Sequence, residues 1–216
     1  MINYRRIILQ WVIFFVGIMV MSYGIVLTIV ANLGVSPWDV FHLGLANTTP
    51  LTPGMAVQVT GIIIVIIVCF LMKRYPQIGT ILNMIFVGVF IDVFLLLPVT
   101  PTGENLFQQL AILVIGTVLF GVGAGIYISS NLGAGPRDGL VLVLNIKKGW
   151  SIGRIKTVME LSALGFGALL GGPVGVGTVI ISLTIGPIMG FNIEYWKGLL
   201  GKYTEEVKSN EVVNER

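Results

Sequence analysis

Four stretches of this chain run for more than thirty residues without a charge. Residues 7–38, 40–72, 105–136 and 161–193 hold no Asp, Glu, Lys or Arg over 32, 33, 32 and 33 positions. A helix crosses the apolar core of a bilayer in about 20 residues, so these windows dictate a membrane protein. Only 11% of the 216 residues are charged and 55% are hydrophobic, where a soluble domain carries about a quarter charged residues. At a mean hydropathy of +0.94, too little polar surface exists to cover a water-soluble globule.

Turn chemistry divides the windows into six predicted spans, at 7–31, 55–72, 78–97, 106–130, 154–171 and 175–193. Thr52-Pro53-Gly54 starts the second, Pro98 stops the third, Ser151 caps the fifth and Gly171-Gly172-Pro173 turns into the sixth. The apolar stretch after Arg6 exceeds the roughly 7–15 residues of a cleavable signal and no small-x-small site follows it, so it reads as an uncleaved span. The expected organisation is one transmembrane domain over 1–201 and a polar, disordered cytoplasmic tail over 202–216.

Lysine and arginine set the orientation. With the N-terminus in the cytoplasm, all 13 basic residues fall on or beside cytoplasmic segments and none falls in 32–54, 98–105 or 172–174. Both termini are therefore expected in the cytoplasm. The net charge of +3 is topological and gives no argument for nucleic acid.

The chain also repeats itself at an offset of 99. Asn32-Leu33-Gly34, Pro37 and Asp39 match Asn131-Leu132-Gly133, Pro136 and Asp138, defining N-L-G-x-x-P-x-D. Gly17 meets Gly116, Gly24 meets Gly123 and Gly54 meets Gly153; at an offset of 98, Gly79-Thr80 meets Gly177-Thr178 and Gly88 meets Gly186. Repeat one covers about 7–98 and repeat two about 106–197. Three spans per repeat turn the second copy over, which predicts two inverted three-helix repeats. The apolar pieces after each motif, 37–47 and 136–147, are too short to span and read as re-entrant or interfacial helices.

One reading of the motif is structural. Asn-Leu-Gly closes a helix, since both end residues tolerate the left-handed conformation. Ser36-Pro37-Trp38-Asp39 opens another, with Ser36 as N-cap and Asp39 reaching back. The other reading adds function: two helix N-termini from opposite faces suit an anionic substrate group. On it, Asn32, Asp39, Asn131, Arg137 and Asp138 form two symmetric gates. The Asp39 and Asp138 carboxylates would partly cancel the positive helix ends, so a cation or positioning role stays open.

Asp92 and Glu160 are acids placed inside spans and are relay candidates. Lys156, at i−4, offers Glu160 a simple ion pair, and Asp92 lies near an outer end. Gly121-x3-Gly125 and Ala163-x3-Gly167-x3-Gly171 place small residues on single helix faces, where backbones can approach. His42 has no partner at ligand spacing and reads as a loop or interfacial residue; Cys69 is alone. No catalytic signature, metal cage or cofactor motif is present in the sequence, so no enzyme activity, metal or cofactor is expected.

On Gly17 and the two motifs, Asn32-Leu33-Gly34 with Pro37-Trp38-Asp39 and Asn131-Leu132-Gly133 with Gly135-Pro136-Arg137-Asp138-Gly139, the chain resembles the bacterial YczE-like integral membrane proteins of the YczE/YyaS/YitT grouping. The resemblance covers roughly residues 5–200. It implies a multi-pass bacterial cell-membrane protein and supplies no substrate, cofactor or catalytic residue. The expected function is a small-molecule transporter or substrate-binding membrane subunit, with a homodimer in keeping with its size. The alternative is a membrane scaffold or regulator docking a cytoplasmic partner through its cytoplasmic loop and tail.

Overall fold

A computed structural model describes the backbone of residues 4–133 and 135–214, and the side chains in those ranges except residues 6 and 200–214. The described chain forms eight α-helices: α1 (Tyr4–Val30), α2 (Pro37–Thr48), α3 (Pro53–Met72), α4 (Ile78–Leu96), α5 (Leu106–Ser129), α6 (Pro136–Lys148), α7 (Ile152–Leu169) and α8 (Val176–Asn214). Local chemistry sets most starts, because the first N–H groups of a helix need acceptors. Thr52 accepts from the Met55 N–H at 3.1 Å and Asn105 from the Gln108 N–H at 3.0 Å. Ser151 caps α7 through the Arg154 N–H. Lys73 and Gly149 close α3 and α6 in the left-handed conformation.

Among the described residues, α1, α3, α4, α5 and α8 are long and apolar enough to cross a membrane. α7 has 18 residues but carries Arg154, Lys156 and Glu160, so its composition sets it apart from those five, whereas the sequence reading counts it as a sixth span. The tail also departs from expectation: α8 continues through it to Asn214. Extending a formed helix needs no new nucleus, and Glu and Lys are good helix formers. Residues 215 and 216 of the expected tail lie outside the described residues.

α1 and α5 cross at the centre, and glycines let their backbones touch. A Cβ at Gly17 would stand 2.4 Å from the Tyr127 nitrogen, and one at Gly123 2.2 Å from the Met21 nitrogen. Gly24 and Gly116 pack reciprocally about two turns along. α4 flanks α1, α8 flanks α5, and the short helices α2 and α6 each wedge against both α3 and α7. Phe14, Ile18, Leu113 and Ile181 are fully buried among them.

The turns after α1 and α5 tie the two halves of the chain together. Asn32 and Asn131 have φ of 54° and 58°, the left-handed region that Asn tolerates better than most residues. The first turn clasps the start of α8, where the Gly177 N–H donates to the Leu33 carbonyl at 2.7 Å. The second meets the start of α4, where a Cβ at Gly79 would stand 2.3 Å from the Leu132 carbonyl oxygen.

Two helix pairs differ. α3 and α4 pack closely where Gly54 and Gly88 abut, and Asp92 of α4 holds the start of α3 by accepting from the Thr52 hydroxyl and, at 2.7 Å, from the Gly54 N–H. α7 and α8 do not pack along their length. A Cβ at Gly153 or Gly186 would meet nothing within 4 Å, and Pro187 lies inside α8 beside Gly186.

Candidate functional site

A cavity of about 220 Å³ lies between the central helices and the short ones, lined by residues of α1 through α8. Much of its lining comes in pairs 99 positions apart: Trp38 and Arg137, Thr60 and Met159, Gly61 and Glu160. α2 delivers Trp38 and His42, and α6 delivers Arg137 and Asp138, because Pro37 and Pro136 start these helices at the same point after each Asn-Leu-Gly turn.

The Arg137 guanidinium stands 4.5 Å from the centre of the Trp38 ring. That aromatic face is its one close partner among the described residues: no hydrogen bond or ion pair reaches the guanidinium. Asn83 and Tyr127 gather at the start of α6. A Cβ at Gly135 would lie 3.3 Å from the Tyr127 hydroxyl and 3.5 Å from Asn83 Oδ1, so the cap position is kept free of a side chain where Ser36 stands in the first copy.

Among the described residues, three buried polar atoms have no hydrogen-bond partner: His42 Nδ1, Thr60 Oγ1 and Asn83 Nδ2. All three residues line the cavity and are 2%, 8% and 6% exposed. An unsatisfied buried polar group costs about 1–3 kcal/mol, and three of them around one space mark it as polar ground in an apolar core. His42 Nδ1 lies 3.6 Å from Asp39 Oδ1, beyond hydrogen-bond reach. Asp39 is held instead by the Ser36 hydroxyl, which donates to Oδ2 and accepts from the Asp39 N–H at 3.4 Å.

Charge at this corner follows from burial and neighbours. Burial alone would raise Asp39, but His42, the Arg137 cation and the Ser36 hydroxyl outweigh it and hold the carboxyl below its usual range. Burial lowers His42, with Arg137 adding to the effect against the pull of Asp39. The pair is thus a carboxylate beside a neutral ring.

The sequence candidates divide. Arg137, Asp138 and Glu160 line the cavity. Asp39 is buried behind it, against His42. Asn32 and Asn131 are exposed in their turns, outside the lining. Asp92 is engaged at the start of α3, also outside the lining. Lys156 and Glu160 form no ion pair among the described residues. The expected small-residue faces are in contact in part: Gly121 and Gly125 meet Ile188 and Asn192 of α8, and Gly167 meets the backbone of α2 at Val40 and Phe41, whereas Gly171 lies past the end of α7 and a Cβ there would meet nothing within 4 Å.

Sequence reasoning missed Thr60, Asn83 and Tyr127 and placed His42 at a surface. The signal for His42 was present: it follows Asp39 by three positions, one helical turn. Among the described residues no three His, Cys, Asp or Glu side chains gather to hold a metal ion.

A family of unknown function, DUF6198, matches residues 8–194. The chain belongs to the DUF6198 family. Membership agrees with the resemblance carried by the paired motifs. An uncharacterized membrane protein of Bacillus subtilis (strain 168), YczE, is 37% identical over 191 residues, covering 88% of this chain and 87% of that protein. An uncharacterized protein of Haemophilus influenzae is 33% identical over 172 residues, covering 80% and 78%. YyaS of Bacillus subtilis, also uncharacterized, is 30% identical over 166 residues, covering 76% and 83%. No solved structure matches the chain. The description of YczE as a membrane protein agrees with the five helices of this chain that, among the described residues, are long and apolar enough to cross a membrane.

Proposed function

We propose that this protein is a non-enzymatic small-molecule transporter or substrate-binding membrane subunit, built from two inverted repeats around a shared cavity. The observation that carries the reading is the cavity lining itself, much of which consists of repeat partners. A residue touches its own repeat partner where both lie close to the axis relating the halves, and Trp38 touches Arg137. The reciprocal clasps support the same arrangement, with the first turn on the start of α8 and the second on the start of α4. Substrate sites of inverted-repeat transporters lie at such an interface.

In this reading α7 is a sixth span, with Arg154 and Lys156 in its cytoplasmic end, and both termini are cytoplasmic in a bacterial cell membrane. α2 and α6 dip back into the protein, consistent with buried Val40 and His42 on α2 and Val141 and Val143 on α6. Arg137 and Asp138 meet the substrate, Asp39 acts through His42, and Asn32 and Asn131 set the turns that aim both helices.

A ligand screen by thermal shift on the purified protein tests this, since anything binding the native state raises its apparent stability. A hit is expected to lose its effect in Asp138→Asn while that variant keeps its fold. If the response survives in both Asp39→Asn and Asp138→Asn, the gate assignment fails.

A further inference from the structure

The cavity holds two opposite charges that do not satisfy each other. The Arg137 guanidinium and the Asp138 carboxylate both line it, and neither side chain makes a hydrogen bond or ion pair among the described residues. Beside them, Asn83 offers an unused N–H and Thr60 an unused hydroxyl, each more than nine-tenths buried. Lys156 and Glu160, the other charged groups of the lining, are exposed on α7 and balance one another in sign. The remaining wall is largely apolar, as at Met21, Ile25, Phe120 and Met189.

We infer that the ligand is a small zwitterion with an apolar body, its carboxylate received by Arg137 and Asn83 and its ammonium by Asp138. An anion alone would leave Asp138 without a counter-charge, and a cation alone would leave Arg137 with only the Asp39 carboxylate behind the cavity and no acceptor on its N–H groups. A neutral apolar guest would strip water from both and return nothing. A zwitterion satisfies both at once, with a bidentate fork available on the guanidinium. The volume of about 220 Å³ corresponds to about seven waters at about 30 Å³ each, the scale of a single aliphatic amino acid. The inference rests on the reading of this cavity as a binding site.

Leucine and phenylalanine are the probes, each compared with its N-acetyl acid and its carboxamide in calorimetry on the full-length protein in nanodiscs. The parent amino acids are expected to bind, and both singly charged forms to bind roughly tenfold to a hundredfold more weakly, the range for a lost charged hydrogen bond. Arg137→Gln should erase the discrimination against the carboxamide, and Asp138→Asn that against the acetylated acid. The comparison among ligands needs no variant, so misfolding of either leaves the test intact. Equal binding of the acetyl or amide form overturns the zwitterion while sustaining the cavity as a site. No binding by any of the six compounds overturns the zwitterion, and the broader screen then decides on the site.

Discussion

Arg137 lies over the ring of Trp38, its counterpart 99 positions earlier, with 4.5 Å between the guanidinium carbon and the ring centre. The two copies of the motif thus diverge at one position into a cation and the aromatic face that supports it. Such a contact is worth about 0.5–2 kcal/mol depending on how far it is desolvated.

Trp38→Leu should therefore lower thermal stability and free the guanidinium to wander, while Trp38→Phe should retain most of the stacking. Melting curves of the three proteins check this. Equal curves for the Leu variant and the parent would show that the ring contributes nothing.

Equivalent glycines should respond in opposite ways. Gly54→Ala forces a Cβ into the Gly88 carbonyl, and overpacking of this kind costs about 1–3 kcal/mol. Gly153→Ala meets open space and replaces a poor helix former with the best, a gain of up to about 1 kcal/mol. Thermal melts in one detergent compare the two; a destabilised Gly153→Ala would mean that α7 is packed where the structure has it free.

His42 is the sole histidine, so its ring gives a single resolvable signal after histidine labelling. With its affinity for protons lowered in the fold, the ring should stay neutral as pH falls through about 6.5, the usual histidine value. The unfolded chain takes up a proton there and the folded chain does not, so stability declines as pH drops below that point. His42→Asn should flatten this slope. Titration of the folded signal at or above 6.5 would contradict the burial of the ring against Arg137 and Asp39.

Cysteines placed singly at the exposed turn positions 32 and 131, in a Cys69→Ala background, should react with a membrane-impermeant maleimide from opposite sides. Labelling of both from one side would dissolve the inverted arrangement.

The helix framework was legible because caps are local: Thr52 and Ser151 announce α3 and α7 within a few residues. The central crossing was not legible: Gly17, Gly24, Gly116 and Gly123 stand in the sequence as repeat matches, and nothing in the spacing tells that the two helices meet on them. Thr60 and Asn83 were not legible. Each is one of a few scattered polar residues in a helix otherwise apolar on all sides, where no periodicity tells which face looks inward. The difference between the two helix pairs was also hidden. Gly54 and Gly88 have partners in Gly153 and Gly186, which predicts equal packing, but the position matching Asp92 at the 98 spacing is Gly190, so the second pair lacks a carboxylate to hold it.

That missing carboxylate gives the vestibule one doorway. Lys156 and Glu160 on one jamb and Ile185 and Met189 on the other already face the interior, and Pro187 leaves α8 a bond short at the point where it would swing. Shutting that doorway displaces no packed atom at Gly153 or Gly186, whereas parting the opposite wall must first pull Asp92 away from Thr52 and Gly54. On the proposed transport reading, a guest would meet a free swing at the α7–α8 side of the cavity and a latch at the α3–α4 side.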